Sequence, residues 1–239
     1  MHDAIRRWSV IAAIVLSSAA AFGVDPPDLR INAVSGLIET VDATWSGSNY
    51  DVRYTEVTSA GRQTASSLLS SSASNDVDPR IASAQNGDVV VAWWQVLATD
   101  AVIYRKRSIA TGAWSLERAA GLPGESSSHP RVVYDGDEPW VAYQIQNFKT
   151  RSVGAQIIDD DPEPFRTIVA TTGYTGALDI EINAESSHLW VTWMDNASNV
   201  GYAEYSYDKR LWSVPAREPL ATGSVSAAIS RIRDRLLGF

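Results

Sequence analysis

Val89-Val-Val-Ala-Trp93, Pro139-Trp-Val-Ala-Tyr143 and Leu189-Trp-Val-Thr-Trp193 are three versions of one five-residue run, each starting 50 positions after the one before. Trp190 and Thr192 alternate with Val191 and Trp193, which is the period of a strand and not of a helix. Val41-Asp-Ala-Thr-Trp45 is a weaker first copy. Other landmarks keep the same interval. Leu29-Arg30-Ile31, Pro79-Arg80-Ile81, Pro130-Arg131-Val132, Ile180-Glu181-Ile182 and Ser230-Arg231-Ile232 share one slot, at spacings of 50, 51, 50 and 50. An alternating strand follows each run: Asp51-Val-Arg-Tyr54, Ala101-Val-Ile-Tyr104, Ser152-Val-Gly-Ala155 and Asn199-Val-Gly-Tyr202. Then comes an aromatic after a turn, at Trp114, Phe165 and Trp212, where the first unit has only Arg62-Gln63-Thr64.

Each unit therefore reads as four short strands separated by Gly, Asp, Asn, Ser and Pro turns. Four strands in about 50 residues is the signature of a β-propeller blade, whereas solenoid units are shorter and a sandwich needs about 100 residues. The expected fold is all-β: a β-propeller of four blades, 28–77, 78–128, 129–177 and 178–222, in a domain over 24–222. The opening run is the second strand of each blade. Trp45, Trp93, Tyr143 and Trp193 hold one position in it and, with Trp114, Phe165 and Trp212, are expected to fill the wedge between blades.

Residues 223–239 read two ways. Ser230-Arg231-Ile232 falls in the first-strand slot of a fifth, incomplete repeat, whose unpaired edge would invite homo-oligomerisation. Ile229, Ile232, Leu236 and Phe239 equally form one face of a C-terminal helix.

Arg6-Arg7 precede the short apolar run Trp8–Gly23, with Ala19-Ala20-Ala21 resembling a cleavage site. Residues 1–23 read as a secretory signal peptide, since about 15 apolar residues fall short of the roughly 20 that span a bilayer. The expected location is extracytoplasmic, secreted or periplasmic, with no transmembrane segment after cleavage. There is no cysteine, so packing alone holds the fold. The net charge of −8 becomes −9 once Arg6, Arg7 and Asp3 are removed, which argues against a nucleic-acid partner.

Two turns carry a resemblance to a known family. Ser108-Ile-Ala-Thr-Gly-Ala-Trp114 and Ser206-Tyr-Asp-Lys-Arg-Leu-Trp212 are similar to the Asp-box, S-x-D-x-G-x-x-W/F, of sialidase-like bacterial-neuraminidase-repeat (BNR) propellers. The first has Ala110 for the Asp, the second Arg210 for the Gly, and both are one residue short. Leu29-Arg30-Ile31-Asn32 is similar to the arginine-bearing run that binds substrate carboxylate in those enzymes, without its aromatic and Pro. The resemblance implies a sialidase-like propeller. No Tyr/Glu nucleophile pair carries over.

Catalytic chemistry finds little support. There is no G-x-S-x-G and no Cys, and His129 and His188 both read as turn residues. Two His give no zinc site, and Asp159-Asp160-Asp161 with Glu163 reads as a solvated acidic turn rather than a calcium loop. Asn196-Ala-Ser198 fits a glycosylation sequon. No catalytic residue, metal or cofactor is expected. The candidate ligand-binding residues are Arg30, Arg80, Arg131 and Arg231, which first strands would bring round the axis as guanidinium forks, and Trp94, turned opposite to Trp93 as a sugar platform. The competing reading pairs each Arg with an acid of a neighbouring blade, such as Asp42 or Glu181, and packs Trp94 in the core. The expected function is an exported, non-catalytic module that binds or scaffolds an anionic glycan or a protein. The alternative is a sialidase-like glycoside hydrolase, or a fragment of one, for which two carboxylates must converge within about 5–10 Å.

Overall fold

The computed structural model describes residues 27–122, 124–146, 151–158, 166–172, 180–196, 199–220 and 225–238. It is an all-β propeller fold of four antiparallel four-stranded blades. Blade one is β1 (Asp28–Ile31), β2 (Ile38–Trp45), β3 (Tyr50–Val57) and β4 (Gln63–Leu68). Blade two is β5 (Asn75–Ser83), β6 (Val89–Val96), β7 (Ala101–Arg107) and β8 (Arg118–Ala120). Blade three is β9 (Ser126–Asp135), β10 (Glu138–Gln146), β11 (Arg151–Ile157) and β12 (Arg166–Thr172). Blade four is β13 (Ile180–Glu185), β14 (His188–Asn196), β15 (Asn199–Ser206) and an outer strand in two pieces, β16 (Leu211–Trp212) and β17 (Ala216–Pro219), both paired with β15. A helix, α1 (Val225–Leu237), follows. The chain forms two compact units, blades one and two up to Ala119 and blades three and four with α1 from Ala120.

In the first unit the core joins Val41, Val52 and Tyr54 of blade one to Ile81, Val91, Trp93 and Ile103 of blade two. In the second it joins Trp140, Ala142 and Val153 to Ile182, Val191, Trp193 and Tyr205. The opening run is the second strand, and its two faces serve two interfaces. Val191 and Trp193 face blade three, while Trp190 lies on the far side of blade four.

The aromatic that closes the run packs over a glycine in blades three and four. Tyr143 pairs across the strands with Gly154, and Trp193 with Gly201. A Cβ on Gly201 would stand 2.4 Å from the Trp193 ring, and one on Gly154 would stand 2.8 Å from Tyr143. The repeated Val-Gly pair of the third strand is thus the seat of the second-strand aromatic.

Trp45 departs from the expectation. It is 51% exposed, whereas Trp93, Tyr143 and Trp193 are buried. Trp45 pairs with Tyr50 at the very end of its hairpin, but Trp93 is two residue pairs short of that end. A two-residue shift keeps the side of the sheet and moves the ring about 7 Å along the strand, past the core.

The outer strands of blades two and four share one device. Ser115 donates its N–H to the Lys106 carbonyl (2.7 Å) and accepts the Lys106 N–H on Oγ (3.0 Å), and Ser213 repeats both bonds with Glu204 at 2.7 and 3.0 Å. In the turn before it, Arg210 adopts the left-handed conformation (φ +51) that Gly112 adopts in blade two (φ +67). The turn survives loss of its glycine because the neighbouring strands fix it.

The tail is a helix, so Ser230-Arg231-Ile232 is not a strand. Ala228 and Ile232 bury against Trp190 and Val200, with Val225, Ile229 and Leu236 around them. As a helix the segment bonds its interior backbone groups within itself while laying one apolar stripe on blade four, which a lone first strand could not do. Glu218 of β17 clamps the helix, accepting from Arg231 Nε (2.7 Å) and Arg235 Nη2 (2.9 Å). The Arg231 hydrogen bond, then Arg235, holds its carboxyl below the ordinary carboxylate range. A lowered folded value stabilises above the unfolded value, and this is lost as pH falls through the lowered one. Amide protection of α1 should therefore hold at neutral pH and fall below about pH 4.5, and in Glu218→Gln that fall should be smaller, leaving the share of the Arg233–Glu185 pair.

Candidate functional site

The sequence-derived candidates are placed as follows. Arg30 is exposed and lies 3.6 Å from Asp28 of its own strand, with Nη1 donating to the Leu29 carbonyl. Arg80 pairs with Asp78, also on its own strand. Arg131 lies 3.7 Å from Glu181 of the neighbouring blade. Arg231 is on α1 and pairs with Glu218. All four guanidinium groups thus have an acid partner, and in Arg131 and Glu181 two members of the repeated slot pair with each other. Asp42 plays no part, accepting from Thr44 Oγ1 at 2.7 Å. Trp94 is half-buried on the side of β6 away from Trp93. The Asp159–Asp161 turn, Phe165 and the centre of the Asn196-Ala-Ser198 sequon lie outside the described residues.

A series two residues before the arginine slot was legible but overlooked: Asp28, Asp78, His129 and Asp179, at spacings of 50, 51 and 50. Asp78 and His129 sit at register shifts in the first strand with left-handed backbone, φ +48 and +53. Bulges with such backbone re-aim side chains. Here the Asp78 carboxylate is turned onto Arg80, and Asp28 accepts the Leu29 (2.9 Å) and Ile81 (3.0 Å) N–H groups. Both carboxylates are engaged in holding first strands.

A Tyr/Glu cluster also exists that the sequence did not reveal. Tyr54 OH donates towards Glu39 Oε1 (2.8 Å) and Glu56 Oε1 (3.0 Å), and Arg107 Nη1 bonds both Tyr54 OH (3.2 Å) and the Glu56 carboxylate. Burial first, then the Glu39 charge, pushes the Tyr54 hydroxyl well above its ordinary range. Tyr54 and Glu39 are each 1% exposed. A nucleophile needs access to substrate, so this closed cluster fastens blade one to blade two.

The accessible chemistry is at the opposite end of β2 and β3. Trp45 and Tyr50 stand side by side there, ring centroids 5.1 Å apart and planes at 63°. The loop between them is fixed from beneath by Asn49. Its Oδ1 accepts from Ser46 (3.0 Å) and Ser48 (2.8 Å), and its amide donates to Asp51 Oδ1 (2.8 Å) and to the carbonyls of Ser72 (2.9 Å) and Ser74 (3.0 Å). Tyr50 N–H donates to Asn75 Oδ1 (3.2 Å). Below lies the fully buried Asp76, which accepts from Ser72 Oγ (3.0 Å) and Gln95 Nε2 (3.2 Å). Burial raises its carboxyl above the ordinary value, hydrogen bonds from Ser70, Ser72 and Gln95 oppose that, and Asp51 adds to it. The result is a rigid hairpin tip presenting an indole to solvent, rimmed by hydroxyl and amide groups. An aromatic face takes the C–H face of a sugar ring, and the rim takes its hydroxyls.

No family model matches the sequence, and no curated protein matches it. Among solved structures the fold is similar to an exo-β-1,3-galactanase from Clostridium thermocellum, at 11% identity and TM-score 0.51, over 80% of this chain and 47% of that one. It is likewise similar to a Trypanosoma rangeli sialidase solved with the inhibitor DANA, at 11% identity and TM-score 0.51, over 78% of this chain and 37% of that one. The chain thus spans less than half the length of either protein. At this identity the likeness is one of fold: the chain has a β-propeller fold similar to theirs.

Proposed function

We propose that the protein is an exported, non-catalytic propeller that binds a neutral saccharide on Trp45. The observation that carries this reading is an indole half exposed on a hairpin whose loop is fastened by the Asn49 side chain, which accepts from Ser46 and Ser48 and shares its two amide hydrogens among Asp51 and the Ser72 and Ser74 carbonyls. An ordered aromatic binds without losing side-chain freedom, which is why such residues serve as anchors. The charge of −8 and the acid partner on every candidate arginine favour a neutral ligand over an anionic one. The propeller fold shared with a galactanase and a sialidase supports a carbohydrate ligand, and the engaged state of Asp28, Asp78 and Tyr54 supports binding without cleavage.

Calorimetric titration of the mature protein against neutral galacto- and gluco-oligosaccharides and against a sialylated one, with a reducing-end assay run beside it, tests the reading. The expected result is saturable binding of a neutral glycan, weakened at least about tenfold in Trp45→Ala, with no new reducing ends. Binding confined to the sialylated glycan, binding indifferent to Trp45, or release of reducing ends would each overturn it, the last in favour of a glycoside hydrolase.

A further inference from the structure

We propose that the Trp45 platform is one end of a track for a neutral oligosaccharide chain, that the track crosses the junction of blades one and two, and that the Asn75 amide is its specificity-determining donor. The inference rests on the saccharide reading of Trp45. It adds the length of the ligand and the polar contact that selects it.

The track follows from three contiguous steps in the first unit. Trp45 and Tyr50 are cross-strand partners with rings 5.1 Å apart. Tyr50 N–H donates to Asn75 Oδ1 (3.2 Å). Asn75, the first residue of β5, is in turn the register partner of Val96, the last residue of β6. Val96 and the next residue, Leu97, are exposed apolar side chains where β6 turns towards β7. Two of the three steps are strand-to-strand spacings of roughly 4.8 Å each, so the row is longer than one sugar ring. Its two ends offer apolar surface to the C–H faces of sugars, and Tyr50 and Asn75 lie between them.

The row is held across the junction by a common base. The Asn49 amide ties the first tip to the Ser72 and Ser74 carbonyls. Buried Asp76 accepts from Ser72 Oγ and from Gln95 Nε2, the residue before Val96. Asp100 Oδ1 accepts the Leu97 N–H (3.2 Å) and so fixes the second tip. A ligand lying over both tips therefore spends little on ordering the protein.

Asn75 is the selecting group because of how its amide is anchored. Its oxygen accepts from Tyr50, which leaves both amide hydrogens on the other arm, and the residue is exposed. The anchored oxygen gives those two donors a fixed direction. Hydroxyl, ring and glycosidic oxygens of a sugar all accept, and a site built around a positioned donor rejects a ligand that lacks the matching oxygen. The donor is uncharged, as suits a neutral chain.

The test titrates the wild-type protein with neutral galacto- and gluco-oligosaccharides of two and four sugars, by calorimetry and by nuclear magnetic resonance. In the series that binds, the tetrasaccharide should bind at least about fivefold more tightly than the disaccharide. The side-chain amide resonances of Asn75 should shift together with the Trp45 indole. Asn75→Ala should weaken the tetrasaccharide at least about fivefold and leave the Trp45 indole resonance of the free protein in place, so that the loss is one of contact and not of the platform. Equal affinity for the two lengths, an Asn75 amide that stays fixed while the Trp45 indole shifts, or unchanged affinity in Asn75→Ala would each overturn this inference and leave the Trp45 reading standing. A Trp45 indole that no saccharide shifts overturns the platform itself, and the track with it. Should Asn75→Ala fail to fold, the amide shift and the length dependence of the wild-type protein decide by themselves.

Discussion

Trp93→Ala should lower the stability of the protein by about 3–5 kcal/mol, while Trp45→Ala, at the matching place in the repeat, should lower it by less than about 1 kcal/mol. Trp93 is fully buried between Val41, Val52 and Tyr54 of one blade and Ile81 and Ile103 of the next. Truncating it leaves a large cavity in a contact that two sheets share, and the strands cannot collapse into it without losing their pairing. Trp45 touches Tyr50 edge to face, and half of its surface is already in water. Urea titration followed by circular dichroism measures both. Equal losses would mean that Trp45 is a core residue and that no platform exists.

Gly201→Ala should cost about 2–3 kcal/mol, an unusual amount for adding one methyl group to a strand. The new Cβ would fall 2.4–2.6 Å from three atoms of the Trp193 indole. That ring lies in the core between blades three and four, so it can move only by displacing Val191 or Tyr205. The backbone at Gly201 is ordinary extended strand, so the cost is purely one of space. The mechanism has its own control, because in Gly201→Ala with Trp193→Ala the two losses should fail to add. Additive losses would show that the glycine serves some other need.

Blade architecture was legible because a period of 50 residues, and strand alternation within it, survive wherever a side chain faces a neighbouring blade. Such positions, Val91, Trp140 and Trp193 among them, are held by packing on two sides. Trp45 misled for the same reason. The copy Val41-Asp-Ala-Thr-Trp45 matches in letters, but the hairpin after it is shorter, and only the pairing with Tyr50 shows that the aromatic has run past the core. The tail carried two patterns at once. The strand slot at Arg231 and the apolar stripe of Ile229, Ile232 and Leu236 are both real sequence features, and the apolar face of blade four decided between them.

The candidate site was the least legible part. Arginines recurring at one interval suggested a convergent anion site, yet whether an arginine is free depends on acids that share no interval with it. Glu218 meets Arg231 from 13 residues away through the fold, and Asp78 meets Arg80 because a bulge turns it back. Asn49, which secures the platform, draws partners from 23 and 25 residues down the chain. Nothing in its local sequence distinguishes it from any loop asparagine.

The claim at the centre is that Trp45 presents a saccharide platform, and nuclear magnetic resonance of the tryptophan indole N–H groups tests it most directly. Titration with the neutral oligosaccharides should shift the Trp45 indole resonance, assigned by its loss in Trp45→Phe, and leave those of the buried Trp93, Trp140 and Trp193 in place. A ligand that shifts other indoles while Trp45 stays fixed, or no shift at any saccharide concentration, would contradict it.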